Sequence, residues 1–333
     1  MDLRSYGINT TLVDETSMSI HEDQIPRGHY SDGRFNLSSG NYSIERKLGE
    51  GSYGKIYEVM SETSGNLYAI KVQKYESQEE FQDYVKEAIM NIILENASQT
   101  QPNGPYVQRF YEIAHDVLNK VIFMRIQMLD GTLADLIDSR TPEENDRLIP
   151  GILQQIAVIS EFFQTTLAMN HRDMKSNNIM YSMHEGIPHV KLIDLGLSCM
   201  TYKGIHISGG GVFPSTHACN RKSRDLTFLL LELLLDFPDK MSPKLYEMLR
   251  KLLKFKTPHS ECQMNGFCVE EGLAEWKNSY IFLNRKNIEN PHTTVKEIKT
   301  QMTAFTKKLK SVRSTKRRRA TYKKHVFRGF LYA

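Results

Sequence analysis

Apolar residues alternate with polar ones along the early part of the chain. Between residues 42 and 75 the alternation is interrupted by a glycine-rich turn and by the turn-forming run Thr-Ser-Gly-Asn at 63–66. This pattern predicts three antiparallel strands joined by two hairpins. The apolar residues of 81–96 are spaced for one face of a helix, and residues 121–128 predict a further strand.

The second half of the chain has a different pattern. Residues 150–169 are spaced as a long amphipathic helix, and the runs NNIMY and HVKLIDLG are typical of two short strands that flank a turn. From residue 225 to about residue 310 the spacing is mostly helical. The sequence therefore predicts an α+β protein, in which a small β-rich lobe is followed by a larger helical lobe.

Residues 1–41 precede these elements and show no sustained periodicity. The segment is polar and ends in the linker-like run NLSSGN. This composition favours a flexible arm, and docking of the arm on the following lobe is the alternative.

Charge is distributed unevenly along the chain. Residues 307–333 contain 11 Lys and Arg residues and no Asp or Glu, so the rest of the chain has a net charge of −7 although the whole has +4. This tail is the segment that would contact a polyanion or a nucleic acid. A solvated tail and a regulatory segment are the alternatives.

The cysteines and the apolar runs bear on location. Cys199, Cys219, Cys262 and Cys268 form no C-x-x-C pair, which indicates a reducing compartment rather than a disulfide scaffold. The first ten residues lack the apolar stretch of a signal peptide, and the most apolar run, 226–235, is too short to span a membrane. We therefore expect an intracellular protein of the cytoplasm or nucleus, without membrane contact.

The first chemical signal is the run Gly49-Glu50-Gly51-Ser52-Tyr53-Gly54. Glycines let the backbone approach phosphate groups without a Cβ clash, and backbone N–H groups then bind the anion. Residues 55–60 alternate as a strand, whereas a dinucleotide-binding turn would lead into a helix. The run favours a glycine-rich hairpin over phosphates, and an ordinary glycine hairpin is the alternative.

The second signal is Lys71 in the otherwise apolar run YAIKV. Contact with a phosphate would explain a lysine there, and a side chain that reaches solvent is the alternative. Glu87 on the following predicted helix is the candidate partner of Lys71. The nearby Glu79, Glu80 and Asp83 are expected to be solvated.

The strongest signal is His171-Arg172-Asp173-Met174-Lys175-Ser176-Asn177-Asn178. Phosphoryl transfer uses a carboxylate to accept the hydroxyl proton, a cation near the moving phosphoryl group, and an oxygen ligand for a metal. Asp173, Lys175 and Asn178 offer these groups within one loop. Asp194-Leu195-Gly196 follows Asp173 by 21 residues, and a carboxylate between an apolar strand and a glycine can bind Mg²⁺.

These four motifs, in this order, resemble the signature set of eukaryotic-type protein kinases over about residues 43–300. The implied catalytic residues are Lys71, which binds the α- and β-phosphates and pairs with Glu87, Asp173 as the base, and Lys175 near the γ-phosphate. The implied metal ligands are Asn178 and Asp194. The glycine-rich loop is Gly49 to Gly54, and the implied adenine and ribose contacts are Leu48, Ile56 and Ala69. Ile126 resembles the residue before the hinge, and Gln127, Met128 and Leu129 resemble the hinge, which reads adenine through backbone hydrogen bonds.

The resemblance implies a bilobal protein-kinase-like fold with ATP and Mg²⁺ in the cleft. The implied units are an arm over 1–41, an N-lobe with hinge over 42–129, a C-lobe over 130–306 and the basic tail over 307–333. Lys175 resembles the branch of the family that phosphorylates Ser and Thr hydroxyls of proteins. A pseudokinase scaffold and an enzyme of the same fold that phosphorylates a small molecule are the alternatives.

The chain also departs from the family pattern. Gly211-Val212-Phe213-Pro214 stands where A-P-E is expected, so the glutamate that anchors the substrate-binding segment is missing. Leu195 replaces the Phe of D-F-G, Asn91 replaces an apolar residue, and the run beginning at Asp225 only loosely resembles the Asp-led motif of the central C-lobe helix. Such departures fit a divergent kinase of the kind found in large DNA viruses, for which the virion is a further expected location.

Arg172 resembles an arginine that pairs with a phosphate on the activation segment. The hydroxyl groups that could carry this phosphate are those of Thr201, Ser208, Ser215 and Thr216.

Overall fold

The computed structural model describes residues 3–6, 8, 20–51, 54–209, 219, 224–252 and 296–309. Within these ranges the strands are β1 (His29–Ser31), β2 (Arg34–Leu37), β3 (Gly40–Gly51), β4 (Gly54–Ser61), β5 (Leu67–Lys74), β6 (Phe110–Asp116), β7 (Val121–Ile126), β8 (Gly131–Thr132), β9 (Ile179–His184), β10 (Ile187–Leu192), β11 (Cys199–Tyr202) and β12 (Ile205–Ser208). The helices are α1 (Gln78–Ser98), α2 (Leu133–Asp138), α3 (Pro142–Leu167), α4 (Arg224–Asp236), α5 (Pro243–Leu252) and α6 over 296–309.

The N-lobe is built on a seven-stranded antiparallel sheet with the order β1-β2-β3-β4-β5-β7-β6. The three strands predicted over 42–75 are confirmed as β3, β4 and β5, and the strand predicted over 121–128 is confirmed as β7. Helix α1 packs against β6 and β7 and buries the apolar face that the periodicity predicts. Ser77 begins α1, where its side chain accepts a hydrogen bond from the backbone N–H of Glu80.

The described residues of the 1–41 segment lie against this lobe, as the docked alternative predicts for them. Strand β2 pairs with β3, and Phe35 is buried between Tyr57 and Phe123. The alternation of Phe35 and Leu37 in the run RFNL is the strand signal, and it is short within a polar segment. Four further apolar side chains of the segment are fully or almost fully buried: Leu3, Ile8, Ile20 and Ile25.

We call the described residues between 3 and 28 the N-terminal strap. The strap is hydrogen-bonded to both ends of α1. Gln82 accepts from Ile20 N at 3.1 Å and donates to Ile20 O at 2.5 Å, and Asn96 donates to the hydroxyl of Tyr6 at 3.1 Å. In β6, His115 donates its N–H to the carbonyl of residue 26 and accepts from the N–H of residue 28. The strap therefore ties α1 to the edge strand of the sheet.

The C-lobe is helical, as the spacing predicts. The helix predicted over 150–169 is α3, which begins earlier, at Pro142, because Thr141 and Glu144 form a reciprocal capping box in front of it. The two predicted short strands are β9 and β10, which pair as an antiparallel hairpin. Helices α4, α5 and α6 account for the described part of 225–310, and residues 253–295 lie outside the described residues. The α+β, two-lobed architecture predicted from the sequence is confirmed.

Cys199 and Cys219 form a disulfide, with Cα atoms 5.6 Å apart. The sequence indicated no disulfide scaffold, and it did not predict this bond. Cys199 lies in β11, just after the turn at Gly196, and the chain returns to Cys219 before α4. Two cysteines that meet only because of how the chain folds have no characteristic spacing in the sequence, unlike a C-x-x-C pair. Cys262 and Cys268 lie outside the described residues.

Reduction of this disulfide should lower the free energy of unfolding by about 3 kcal/mol, because the bond closes a loop between residues 20 positions apart. Urea unfolding of the full chain with and without dithiothreitol measures the change. The double variant Cys199→Ala/Cys219→Ala is the control, since its unfolding should not respond to the reductant. Equal responses of the wild type and the double variant would contradict the prediction.

Two expectations concern membranes and the basic tail. Among the described residues no helix combines the length and the apolar character that a membrane crossing requires. The tail lies outside the described residues from residue 310 onwards. Its contact with a polyanion or nucleic acid therefore stays a prediction.

Candidate active site

The glycine-rich run forms the hairpin between β3 and β4. Gly51 faces Gly54 in the ladder, and Ser52 and Tyr53 at the tip lie outside the described residues. Gly54 has a φ of +134°, and a Cβ at this position would lie 2.2 Å from the carbonyl oxygen of Val72 in β5. Only glycine fits such a close approach of two strands.

The other N-lobe residues implied in nucleotide binding lie on the same three strands. Ile56 faces Gly49 on one side and Lys71 on the other. Ala69 is buried and faces Ile126, the last residue of β7 before the hinge. Leu48 is exposed on β3, and so is Glu50, whose carboxylate pairs with Lys47 and Lys55.

Lys71 joins the two lobes through carboxylates. Its Nζ lies 2.6 Å from Glu87 Oε1 on α1 and 3.3 Å from Asp194 Oδ1, which follows β10. The lysine is thus not directed to solvent. Of the four acidic residues considered on α1, Glu87 is the one in the register that reaches it, while Asp83 pairs with Lys86 at 3.3 Å.

The Lys71 ammonium and its two carboxylate partners shift one another's pKa. Burial lowers the pKa of Lys71, but the carboxylates of Glu87 and Asp194 outweigh burial, and together they raise its pKa above the usual value. For Asp194, burial raises the pKa, and the nearby Lys71 ammonium outweighs this effect and lowers it. The cluster therefore holds a charged ammonium and a carboxylate side by side at neutral pH.

The loop that carries Asp173 orders its polar groups around one carboxylate. Asp173 Oδ2 accepts hydrogen bonds from Lys175 Nζ at 2.9 Å and from Asn178 Nδ2 at 2.8 Å. Asp173 Oδ1 is buried and has no hydrogen-bond partner among the described residues. A buried acceptor without a protein donor is suited to receive a proton or hydroxyl hydrogen from a ligand.

Asp225 of α4 holds the backbone of this loop. Its carboxylate accepts hydrogen bonds from the backbone N–H groups of His171 at 2.7 Å and Arg172 at 2.9 Å. Arg172 has a φ of +68°, so the two amides hold a backbone turn that is unfavourable for a non-glycine residue. The loose sequence match at Asp225 thus corresponds to a direct contact with the loop.

Glu232 is a second support from α4, and it belongs to none of the sequence motifs. Its carboxylate accepts from the backbone N–H of Ser176 at 2.6 Å and from the Ser176 hydroxyl at 2.9 Å. The signal for Glu232 is the one acidic residue in the apolar run LLLELLL. A buried carboxylate in such a run needs hydrogen-bond donors, and the loop supplies them.

Replacement of Glu232 with Gln should lower kcat for phosphoryl transfer about tenfold, because a charge-assisted bond to the loop backbone is lost. The KM for ATP should change less than about threefold, since Lys71 lies on the other lobe. Steady-state kinetics of the full chain measures both. Glu247→Gln on α5, where Glu247 pairs with Arg250 on the surface, is the matched control and should be silent. An unchanged kcat in Glu232→Gln would show that the contact does not position the loop.

The hinge begins directly after β7. Gln127 donates its N–H to Arg109 O at 2.9 Å, and its side-chain Oε1 accepts from Lys191 Nζ at 3.2 Å. Burial lowers the pKa of Lys191 to about 8, and Glu95 opposes the shift. Met128 is half-buried and packs against the main core. These contacts hold the start of the hinge in one conformation.

A sequence model of the protein kinase domain matches residues 42–214, just over half of the chain. The chain belongs to the protein kinase family. The matched range contains the hairpin, Lys71, Glu87, the Asp173 loop and Asp194.

Plant and yeast proteins are similar to this kinase domain. Cell division control protein 2 homolog C of Antirrhinum majus is 29% identical over 47% of this chain and 52% of its own length. The Aurora kinase of Saccharomyces cerevisiae is 28% identical over 55% of this chain and 46% of its own, and the probable serine/threonine protein kinase IREH1 of Arabidopsis thaliana is 25% identical over 60% and 14%. The chain therefore spans about half of the length of these curated relatives, or less.

The residues of the kinase domain implied as metal ligands fit Mg²⁺ chemically. Asn178 directs its Nδ2 at Asp173, which turns its amide oxygen away from the Asp173 carboxylate. Together with the Asp194 carboxylate this gives two oxygen ligands, and Mg²⁺ is usually held by one or two such groups plus phosphate oxygens and water. Among the described residues no three His, Cys, Asp or Glu side chains cluster to form a metal site on their own.

The departures from the family pattern have structural counterparts in the kinase domain. Asn91 is buried in α1, and its Oδ1 has no hydrogen-bond partner among the described residues. Leu195 is buried, as expected for a conservative replacement. Arg172 Nη1 donates to the hydroxyl of Ser208 at 3.1 Å. Residues 211–214, Ser215 and Thr216 lie outside the described residues.

Proposed function

We propose that the chain is an ATP- and Mg²⁺-dependent protein kinase that transfers the γ-phosphate to Ser and Thr hydroxyls of proteins. The observation that carries the proposal is the position of Lys71, bonded at once to Glu87 and to Asp194. A lysine so placed links the N-lobe sheet, α1 and the metal-binding segment, and phosphoryl transfer in this family requires all three in position.

The proposed roles follow from the contacts of each group. Lys71 binds the α- and β-phosphates, and Glu87 holds its ammonium at the right place. Asp173 accepts the proton of the attacking hydroxyl through Oδ1, the oxygen that no described residue occupies. Lys175, bonded to Asp173 Oδ2, brings a positive charge beside the transferred group. Mg²⁺ held by Asn178 and Asp194 would neutralise phosphate charge.

The choice of Ser and Thr over Tyr rests on Lys175. A lysine two positions after the catalytic aspartate resembles the Ser/Thr branch, and the Arabidopsis relative is named as a serine/threonine protein kinase. The intracellular location and the attribution to a large DNA virus stay predictions.

Incubation with γ-labelled ATP, Mg²⁺ and mixed acceptors tests the proposal. Casein, histone, a poly(Glu, Tyr) polymer and a panel of small alcohols and amines serve as acceptors, and phosphoamino-acid analysis identifies the modified residue. Label on Ser and Thr alone is expected. Label on Tyr or on a small molecule would contradict the assigned acceptor, and nucleotide binding without any transfer would favour a pseudokinase scaffold.

A further inference from the structure

The side chain of Gln108 is bonded to the first carbonyl of the hinge. Its Nε2 donates to Gln127 O across 2.7 Å, and the residue is 7% exposed. The backbone N–H of Gln108 donates at the same time to Leu192 O, two residues before Asp194. Gln108 therefore links the hinge to the strand that leads to Asp194.

The acceptor of this bond is itself held in place. The N–H of Gln127 is bonded to Arg109 O, and the side chain of Gln127 is bonded to Lys191. Because backbone and side chain are both fixed, the Gln127 carbonyl keeps its direction towards Gln108. A donor atom that bonds to the Gln127 carbonyl oxygen would therefore lie close to Gln108 Nε2, which is bonded to the same oxygen.

The carboxamide has more hydrogen-bonding groups than this bond uses. A glutamine side chain carries two N–H donors and one carbonyl acceptor. Since the Gln127 carbonyl can only accept, it fixes the NH₂ end of Gln108 on its own side. One N–H and the Oε1 of Gln108 are then not engaged by the hinge carbonyl.

Purine bases differ in what they offer at position 6. Adenine has an amino group, which donates, whereas guanine and hypoxanthine have an oxygen, which accepts. A hinge carbonyl alone binds the amino group and repels the oxygen, because two acceptors then face each other. A carboxamide beside that carbonyl can pair with either base, since it presents both an acceptor and a donor.

We propose that Gln108 is a nucleobase-specificity residue, which lets the cleft use 6-oxo purine nucleoside triphosphates as well as ATP. The inference rests on the proposed function, because it takes the hinge as the base-binding element. It deepens that function by assigning the base preference to a side chain outside the sequence motifs.

Inosine triphosphate (ITP) is the decisive probe, because it has the 6-oxo group without the 2-amino group of guanine. We would measure kcat/KM with ATP and with ITP, and the Kd of both by calorimetry, for the full chain and for Gln108→Leu. The wild type should prefer ATP by less than about tenfold, and the Leu variant should increase that preference by about tenfold, the value of one hydrogen bond.

Gln155→Leu is the matched control. Gln155 also donates through Nε2 to a backbone carbonyl, Pro188 O at 2.9 Å, but it lies on α3 and away from the hinge. Gln155→Leu should leave the ratio of kcat/KM with ATP to kcat/KM with ITP unchanged. Gln108→Met, which keeps an unbranched side chain, is measured alongside so that a packing defect in one variant does not decide the outcome.

The inference would be overturned if the ratio of kcat/KM with ATP to kcat/KM with ITP stayed within about threefold of the wild-type ratio in both Gln108 variants. A wild type that rejects ITP more than about thirtyfold would also overturn it. Either result can occur in an enzyme that phosphorylates Ser and Thr from ATP, and the proposed function would then stand. A wild type that neither binds ATP by calorimetry nor transfers phosphate from it would contradict the proposed function itself, and the inference with it.

Discussion

The variant Asp173→Asn should bind ATP as the wild type does but transfer phosphate about a thousandfold more slowly, because the hydroxyl loses its proton acceptor. The reason lies in the two donors that face Asp173 Oδ2, Lys175 and Asn178. Because both groups donate, the oxygen of the asparagine amide must face them. The amide NH₂ then takes the place of Oδ1 and presents a donor to the substrate hydroxyl.

Single-turnover transfer to a protein acceptor and ATP binding by calorimetry measure the two effects separately. Asp138→Asn is the control, because Asp138 is an exposed residue that pairs with Lys240 on the surface. Its transfer rate should stay within about threefold of the wild type. If Asp173→Asn transferred phosphate within tenfold of the wild-type rate, the assignment of the base would be wrong.

Removal of Glu87 should lower kcat/KM for ATP by about a hundredfold or more, since loss of one partner of a buried ion pair leaves a buried charge misplaced. In Glu87→Ala, Lys71 keeps Asp194 as its one carboxylate partner and is drawn away from the phosphates. Lys71→Met should have at least as large an effect, because it removes the ammonium that we propose as the phosphate-binding group. The KM for ATP should rise in both variants.

Two neighbouring carboxylates on α1 provide matched controls for this prediction. Glu80 accepts from the backbone N–H of Glu76 at the start of α1, and Asp83 pairs with Lys86. Glu80→Ala and Asp83→Ala should leave kcat/KM within about threefold of the wild type. A silent Glu87→Ala beside a severe loss in either control would mean that a different face of α1 meets Lys71.

The sequence predicted the parts of the site whose chemistry is local. Asp173, Lys175 and Asn178 lie in one loop, and their short spacing fixes which groups meet. Lys71 and Glu87 are on different elements, and the sequence offered Glu87 only as a candidate partner, because the strand pattern alone left a solvent-facing Lys71 open. The structure pairs Lys71 with Glu87 and Asp194, and it pairs Asp173 with Lys175 and Asn178.

The remaining features depend on contacts between residues that no repeat or motif links. Glu232 and Ser176 meet only because α4 packs against the loop that carries Ser176. Cys199 and Cys219 meet only because the chain folds back to β11 before α4. Gln108 lies in an ordinary strand-like run, where nothing in its neighbours predicts a bond to the hinge. Such pairs become visible only when the packing of the elements is known.

The N-terminal strap should hold α1 in place at any protein concentration. The strap holds α1 through Gln82 and Asn96, and it belongs to the same chain. A contact within one chain has an effective concentration set by the connecting segment, so it is not lost when the protein is diluted. The Lys71–Glu87 pair on that helix is therefore expected to persist in a single isolated molecule.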